Sequence, residues 1–177
     1  MLNRFRRTPI PREKEGSLNS SNLICRRLGF GVAVCLCILA VNACEYEVPI
    51  TWSPTRKVQE RLLGDWVSLD GKENMKVRRL DDSIYIVYYD GDLFRAYHSD
   101  VAETPFVSVQ DINSSDRKYA YVVWKLSDDG KRLTLRNVQS KLIPKEQKDS
   151  GRVAELLKEN ARNPELFGEE IEFNKVK

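Results

Sequence analysis

The sequence predicts a mainly β domain, an antiparallel up-and-down barrel, with a two-sheet β-sandwich as the alternative. Three observations carry this. From about residue 63 to 138 apolar side chains recur at every second position, the period of a half-buried strand. Asp70-Gly71, Asp90-Gly91 and Asp129-Gly130 interrupt that period with hairpin chemistry, because glycine tolerates positive φ. Strands this close in sequence and joined by tight turns must pair antiparallel. Seven or eight of them in about 110 residues suit a closed barrel, which leaves no sheet edge exposed.

The chain opens on a different composition. Leu28–Ala43 is apolar apart from Asn42, carries no charge and follows Arg26-Arg27. A positive flank, a short apolar core and a small residue at the end define a secretory signal. Sixteen residues at 1.5 Å rise reach about 24 Å, short of the ~30 Å hydrocarbon core, so a permanent membrane span is the weaker reading. Residues 1–43 are therefore assigned as a leader. Residues 1–25 are long and polar for an n-region and include Pro9 and Pro11, as a start assigned too far upstream would produce; a genuine cytosolic extension is the alternative.

Charge and cysteine usage change once the leader is set aside. Of 29 Lys/Arg and 26 Asp/Glu, seven and two lie in residues 1–43. The remaining 22 against 24 give a net of about −2, not the clustered positive surface nucleic acid requires. The four cysteines are Cys25, Cys35, Cys37 and Cys44. None lies beyond Cys44, so the domain has no internal disulfide, thiolate metal site or cysteine nucleophile.

Val41-Asn42-Ala43-Cys44 resembles the bacterial lipobox, with an aliphatic residue at −3, a small one at −1 and then cysteine. The resemblance implies cleavage before Cys44, lipidation of its thiol and anchoring in the cell envelope. More than one acyl chain gives stable anchoring. By the same resemblance, Glu45 favours an outer membrane if the cell has one.

Residues 44–52 read as a short lipidated tether and 53–177 as the domain. Ser53-Pro54 looks like an N-cap followed by proline at the first helical position, and Val58 and Leu62 fall on one face, so Pro54–Leu63 is predicted as a short helix. Strands follow at Asp65–Leu69, Met75–Leu80, Ser83–Tyr89, Leu93–Ser99, Pro105–Ile112, Tyr119–Ser127 and Arg132–Val138. Ala120, Val122, Trp124 and Leu126 share one face, and so do Leu133 and Leu135. Ser83–Tyr89 is apolar on both faces and is expected to be covered on both. Val153, Leu156, Leu157 and Ala161 make the stripe of a helix over Arg152–Ala161, which Asn163-Pro164 ends. Glu170–Val176 alternates again and closes the fold.

Gly64-Asp65-Trp66, at the start of the first strand, resembles the G-x-W signature of lipocalin-like proteins. The later Val153–Leu157 stretch and Leu166-Phe167 resemble the tail of uncharacterised bacterial lipocalin-like lipoproteins. The resemblance spans roughly residues 41–176. It implies a barrel with a ligand-sized interior, and a tryptophan, here Trp66, plugging one end. Lipocalins often place an arginine on the last strand over that tryptophan; this chain has Asn174 and Lys175 there.

Catalytic signatures are missing from the sequence. No phosphate-binding loop, dinucleotide fingerprint, H-E-x-x-H or G-x-S-x-G occurs. His98, the only histidine, reads as an ordinary strand-end residue, and neighbouring Asp100 cannot complete a triad with it through Ser99. The paired acids at Asp81-Asp82, Asp128-Asp129 and Glu169-Glu170 sit at turns or strand ends, where carboxylates are solvated. No enzyme, cofactor or metal is therefore expected. Phe94, Phe106, Tyr121 and Trp124 are the candidates to line an apolar ligand pocket; the alternative is that they fill a packed core. Two functions follow as expectations: an anchored binder of a small apolar or amphipathic molecule, or an anchored interaction protein with a solid core that docks a partner.

Overall fold

A computed structural model describes residues 46–176. Eight strands close into one antiparallel barrel in sequence order: β1 Gly64–Ser68, β2 Asn74–Arg79, β3 Tyr85–Tyr89, β4 Asp92–His98, β5 Phe106–Asp111, β6 Tyr119–Leu126, β7 Arg132–Val138 and β8 Phe167–Lys175. β8 returns to β1 through the pairs Trp66–Lys175, Val67–Asn174 and Ser68–Phe173. The helix α1, Ser150–Asn160, lies between β7 and β8. The barrel is thus realised and the two-sheet sandwich is not. Leader residues 1–43 and Cys44 lie outside the described residues.

Local chemistry fixes the hairpins. Asp90 and Gly91 both adopt positive φ, +48° and +96°, the two-residue turn whose twist matches that of β3 and β4. Helix α1 starts where the Asp149 side chain accepts from the Gly151 and Arg152 backbone N–H groups at 2.8 and 3.4 Å.

The sheet has apolar residues on both faces, and each face has its own core. The inner core holds Trp66, Met75, Val77, Tyr85, Phe94, Leu133 and Phe173 among others. The outer core lies on the far side of β5, β6 and β7, where Phe106, Tyr121 and Val138 meet Val153 and Leu157 of α1 and Tyr46, Val48 and Ile50 of the N-terminal segment. A bulge in β8 contributes. Pairing shifts between Arg136–Glu170 and Val138–Phe167, which turns Phe167 outward to stack on Phe106 at 6.3 Å.

Three expectations are corrected here. The Pro54–Leu63 helix is only a 3-10 turn at Glu60–Leu62; the preceding residues are extended or bent because they reach across the barrel end to hydrogen-bond with its loops. Of the residues assigned as tether, 46–51 are part of the domain. Tyr46 exchanges backbone hydrogen bonds with Tyr119 at 3.0 and 2.8 Å, and its ring stacks on Tyr121 at 4.0 Å. Ile50 N–H donates to Ser108 Oγ, and Tyr97, Tyr121 and Ser150 hydroxyls donate to the carbonyls of Thr51, Val48 and Pro49. β3 is not covered on both faces either, since Tyr88 stays 43% exposed. The doubly covered strands are β5 and β6.

Candidate functional site

The two barrel ends differ. At one end the chain crosses the opening. Thr55 N–H donates to His98 O at 2.9 Å, Val58 N–H to Asp82 O at 2.8 Å, and Gln59 N–H to the Tyr85 hydroxyl at 2.7 Å. Arg61 donates to the carbonyls of Ser127 and Asp128, and Lys175 Nζ to Arg61 O at 2.8 Å. Three loops and the last strand are thereby tied to one crossing segment, and that end is closed.

Trp66 lies beneath it, 1% exposed, with its indole N–H donating to Leu62 O at 3.0 Å. Gly64 permits the approach with φ +146°, a conformation in which a Cβ is strained. Lys175 Nζ stands 5.2 Å from the centre of the Trp66 ring. A lysine thus occupies the place over the tryptophan where the sequence resemblance implies an arginine, and a cation over an indole face is favourable in either case.

An apolar cavity of about 120 Å³ runs inside the barrel from Leu62 toward the opposite end. Asn137 is the one lining residue that is not hydrophobic. Inner residues near the closed end, such as Leu62, Val77 and Leu133, are fully buried, whereas the inward-facing Tyr89, Val109, Asn137 and Ile171 toward the other end are reached by solvent. Those four form a mouth beside the β3–β4 turn and the β5–β6 loop. Tyr89 donates to Glu73 Oε2 at 2.6 Å there, and burial, reinforced by Glu73, pushes its phenol far above the usual range. Apolar cavities of this order accept molecules the size of benzene.

Of the four aromatic candidates, Phe94 and Trp124 line the cavity. Phe106 and Tyr121 do not. They occupy the alternate positions on β5 and β6, so they point outward into the second core, against Phe167 and Tyr46. Val109 and Asn137, which no sequence pattern singles out as lining, each lie in phase with inward neighbours on their strands.

His98 is also inward, in phase with Phe94 and Ala96, and is fully buried. Its Nε2 is 3.1 Å from the Tyr85 hydroxyl. Trp124 packs edge-on against both, with ring centres 5.3 Å from Tyr85 and 5.4 Å from His98. Burial lowers the imidazole pKa below 6.5, with the Asp100 carboxylate opposing and Arg56 assisting. Burial likewise raises that of Tyr85. His98 thus ends β4, as expected of a strand-end residue, but with its ring buried inside the barrel.

Among the described residues no three His, Cys, Asp or Glu side chains converge as a metal site, and no helix is long and apolar enough to cross a membrane. No family model, curated protein or solved structure matches the chain.

Proposed function

We propose that this protein is a lipid-anchored envelope lipoprotein with a lipocalin-like barrel that binds a small apolar or slender amphipathic molecule and catalyses no reaction. The observation that carries the binding role is the solvent-reached apolar cavity, sealed at the Trp66 end and open at the Tyr89–Val109–Asn137–Ile171 end. A purely structural barrel would gain by filling that space, since interiors pack to crystal-like density. The small volume favours a ligand no wider than one alkyl chain or one aromatic ring.

The anchor supports the same reading. Cys44 precedes Tyr46 by two residues, and Tyr46 is hydrogen-bonded to Tyr119 at the mouth end. Two residues span at most ~7 Å. A lipidated Cys44 would thus hold the mouth toward the bilayer, where apolar molecules reside.

Native mass spectrometry of the purified protein, looking for a co-purified apolar molecule, tests the binding role. Ala120→Phe fills the cavity and is expected to abolish that adduct while the β-sheet far-UV spectrum persists. If the wild type carries and takes up no apolar molecule, and the filled variant is simply more stable, the solid-core interaction protein is the better reading. Lipidation is tested separately: the membrane form should have an intact mass beginning at an acylated Cys44, and Cys44→Ser should abolish it. An unmodified Cys44 in the membrane form rejects the lipoprotein assignment.

A further inference from the structure

A second cleft lies at the closed end. The Tyr85 hydroxyl accepts from Gln59 N–H at 2.7 Å and sits 3.1 Å from His98 Nε2. Its own proton therefore has Nε2 as acceptor. The reverse assignment, Nε2–H donating to Tyr85, leaves two groups unmet, the hydroxyl proton and Nδ1. Counting unmet groups places the imidazole proton on Nδ1. That Nδ1–H is buried and has no acceptor, and neither has the buried Nε1–H of Trp124. An unmet buried donor is costly, and these two, in rings 5.4 Å apart, bond to no acceptor among the described residues; the third unmet buried atom is Asp100 Oδ1, on a carboxylate whose other oxygen accepts from Thr55 and Arg56.

Both rings line a cleft of about 490 Å³ between the crossing segment and the end of β6. Arg56, Arg61 and Lys125 stand on its walls with one carboxylate, Glu60, and Glu60 is paired to Arg79 outside it. Arg56 is paired with Asp100, whereas Arg61 donates to the carbonyls of Ser127 and Asp128 and has no ion pair among the described residues. Buried N–H donors beneath a cationic rim are the chemistry that holds an oxyanion.

We propose that this cleft binds a small oxyanion, a carboxylate or phosphate group, whose oxygens accept from His98 Nδ1–H and Trp124 Nε1–H beneath Arg56, Arg61 and Lys125. The site does not depend on the barrel cavity binding anything, although Trp124 forms part of both walls.

The three tryptophans supply the test. In the full chain, held in detergent and labelled with ¹⁵N-tryptophan, Trp52 is exposed and the Trp66 indole is already bonded to Leu62, so both are internal controls. Sodium acetate and sodium phosphate are titrated separately at constant ionic strength against chloride. The Trp124 indole proton is expected to move downfield and saturate with at least one anion while the other two stay fixed; which anion saturates at the lower concentration identifies the source. Lys125→Gln, an exposed change that leaves the fold intact, should weaken binding several-fold, and His98→Phe by about tenfold or more. The proposal is overturned if neither anion saturates, if chloride shifts Trp124 equally, or if Lys125→Gln leaves the affinity unchanged. A long-lived water contacting Trp124 Nε1–H throughout the titration also overturns it.

Discussion

Replacing Trp66 with alanine removes the largest fully buried side chain and strips Leu62 O of its indole donor. The cost should be ~3–5 kcal/mol, lost burial plus a cavity, a large part of the ~5–15 kcal/mol that holds a domain together. Urea denaturation should show a sharply lowered midpoint; a midpoint equal to wild type would contradict a plugging role. His98 makes a pH prediction. Unfolded, it titrates near 6.5; folded, burial holds it lower, with Asp100, Arg56 and Tyr85 as its charged or titratable neighbours. The unfolded chain thus binds more protons just below pH 6.5. The His98 contribution is fully present above that value and is lost as pH falls from 6.5 toward the folded pKa. Denaturation midpoints across this window should decline in wild type and less steeply in His98→Phe. Identical slopes would show that folding leaves the His98 pKa unshifted, and would contradict its burial as a neutral imidazole.

At the scale of elements, the N-terminal strap and α1 act as one layer over β5–β7. Tyr46, Val48 and Ile50 are buried, and burying each such side chain is worth roughly 1.5–3 kcal/mol. A fragment beginning at residue 53 should therefore be markedly less stable than one beginning at 46, with a lower denaturant midpoint and more exposed outer core, seen as dye binding. Equal midpoints would show that the strap is only laid on. Asp149→Ala removes the α1 cap and should cost about 1 kcal/mol. The strap is partly legible in the sequence: Tyr46, Val48 and Ile50 alternate with Glu47 and Pro49. What the alternation cannot give is its partner, since the hydroxyls that fasten it belong to residues 46 to 101 positions away.

For the whole molecule, the barrel mouth and Tyr46, two residues after the proposed anchor, fall at one end and the basic cleft at the other. In membrane-bound protein, a fluorophore on Asn113→Cys, in the mouth-end loop, should be quenched by brominated lipid more strongly than one on Asp129→Cys, at the closed end. Equal quenching, or the reverse order, would mean that the mouth does not face the bilayer. This prediction rests on lipidation of Cys44, which the intact-mass measurement tests on its own.

Local chemistry determines the barrel's parts. Alternation sets which residues of β6 and β7 face inward, the Asp-Gly pairs set the hairpins, and Asn163-Pro164 ends the α1 region, because each of these depends on neighbours within a few residues. Closure of β8 on β1, the outward turn of Phe106 and Tyr121 under α1, and the placing of His98 against Tyr85 and Trp124 depend on contacts between distant strands. A two-residue period gives two faces but does not say which is inside. On β5 and β6 both faces are apolar, and only the docking of the strap and α1 decides that one face builds a second core while the other lines the cavity.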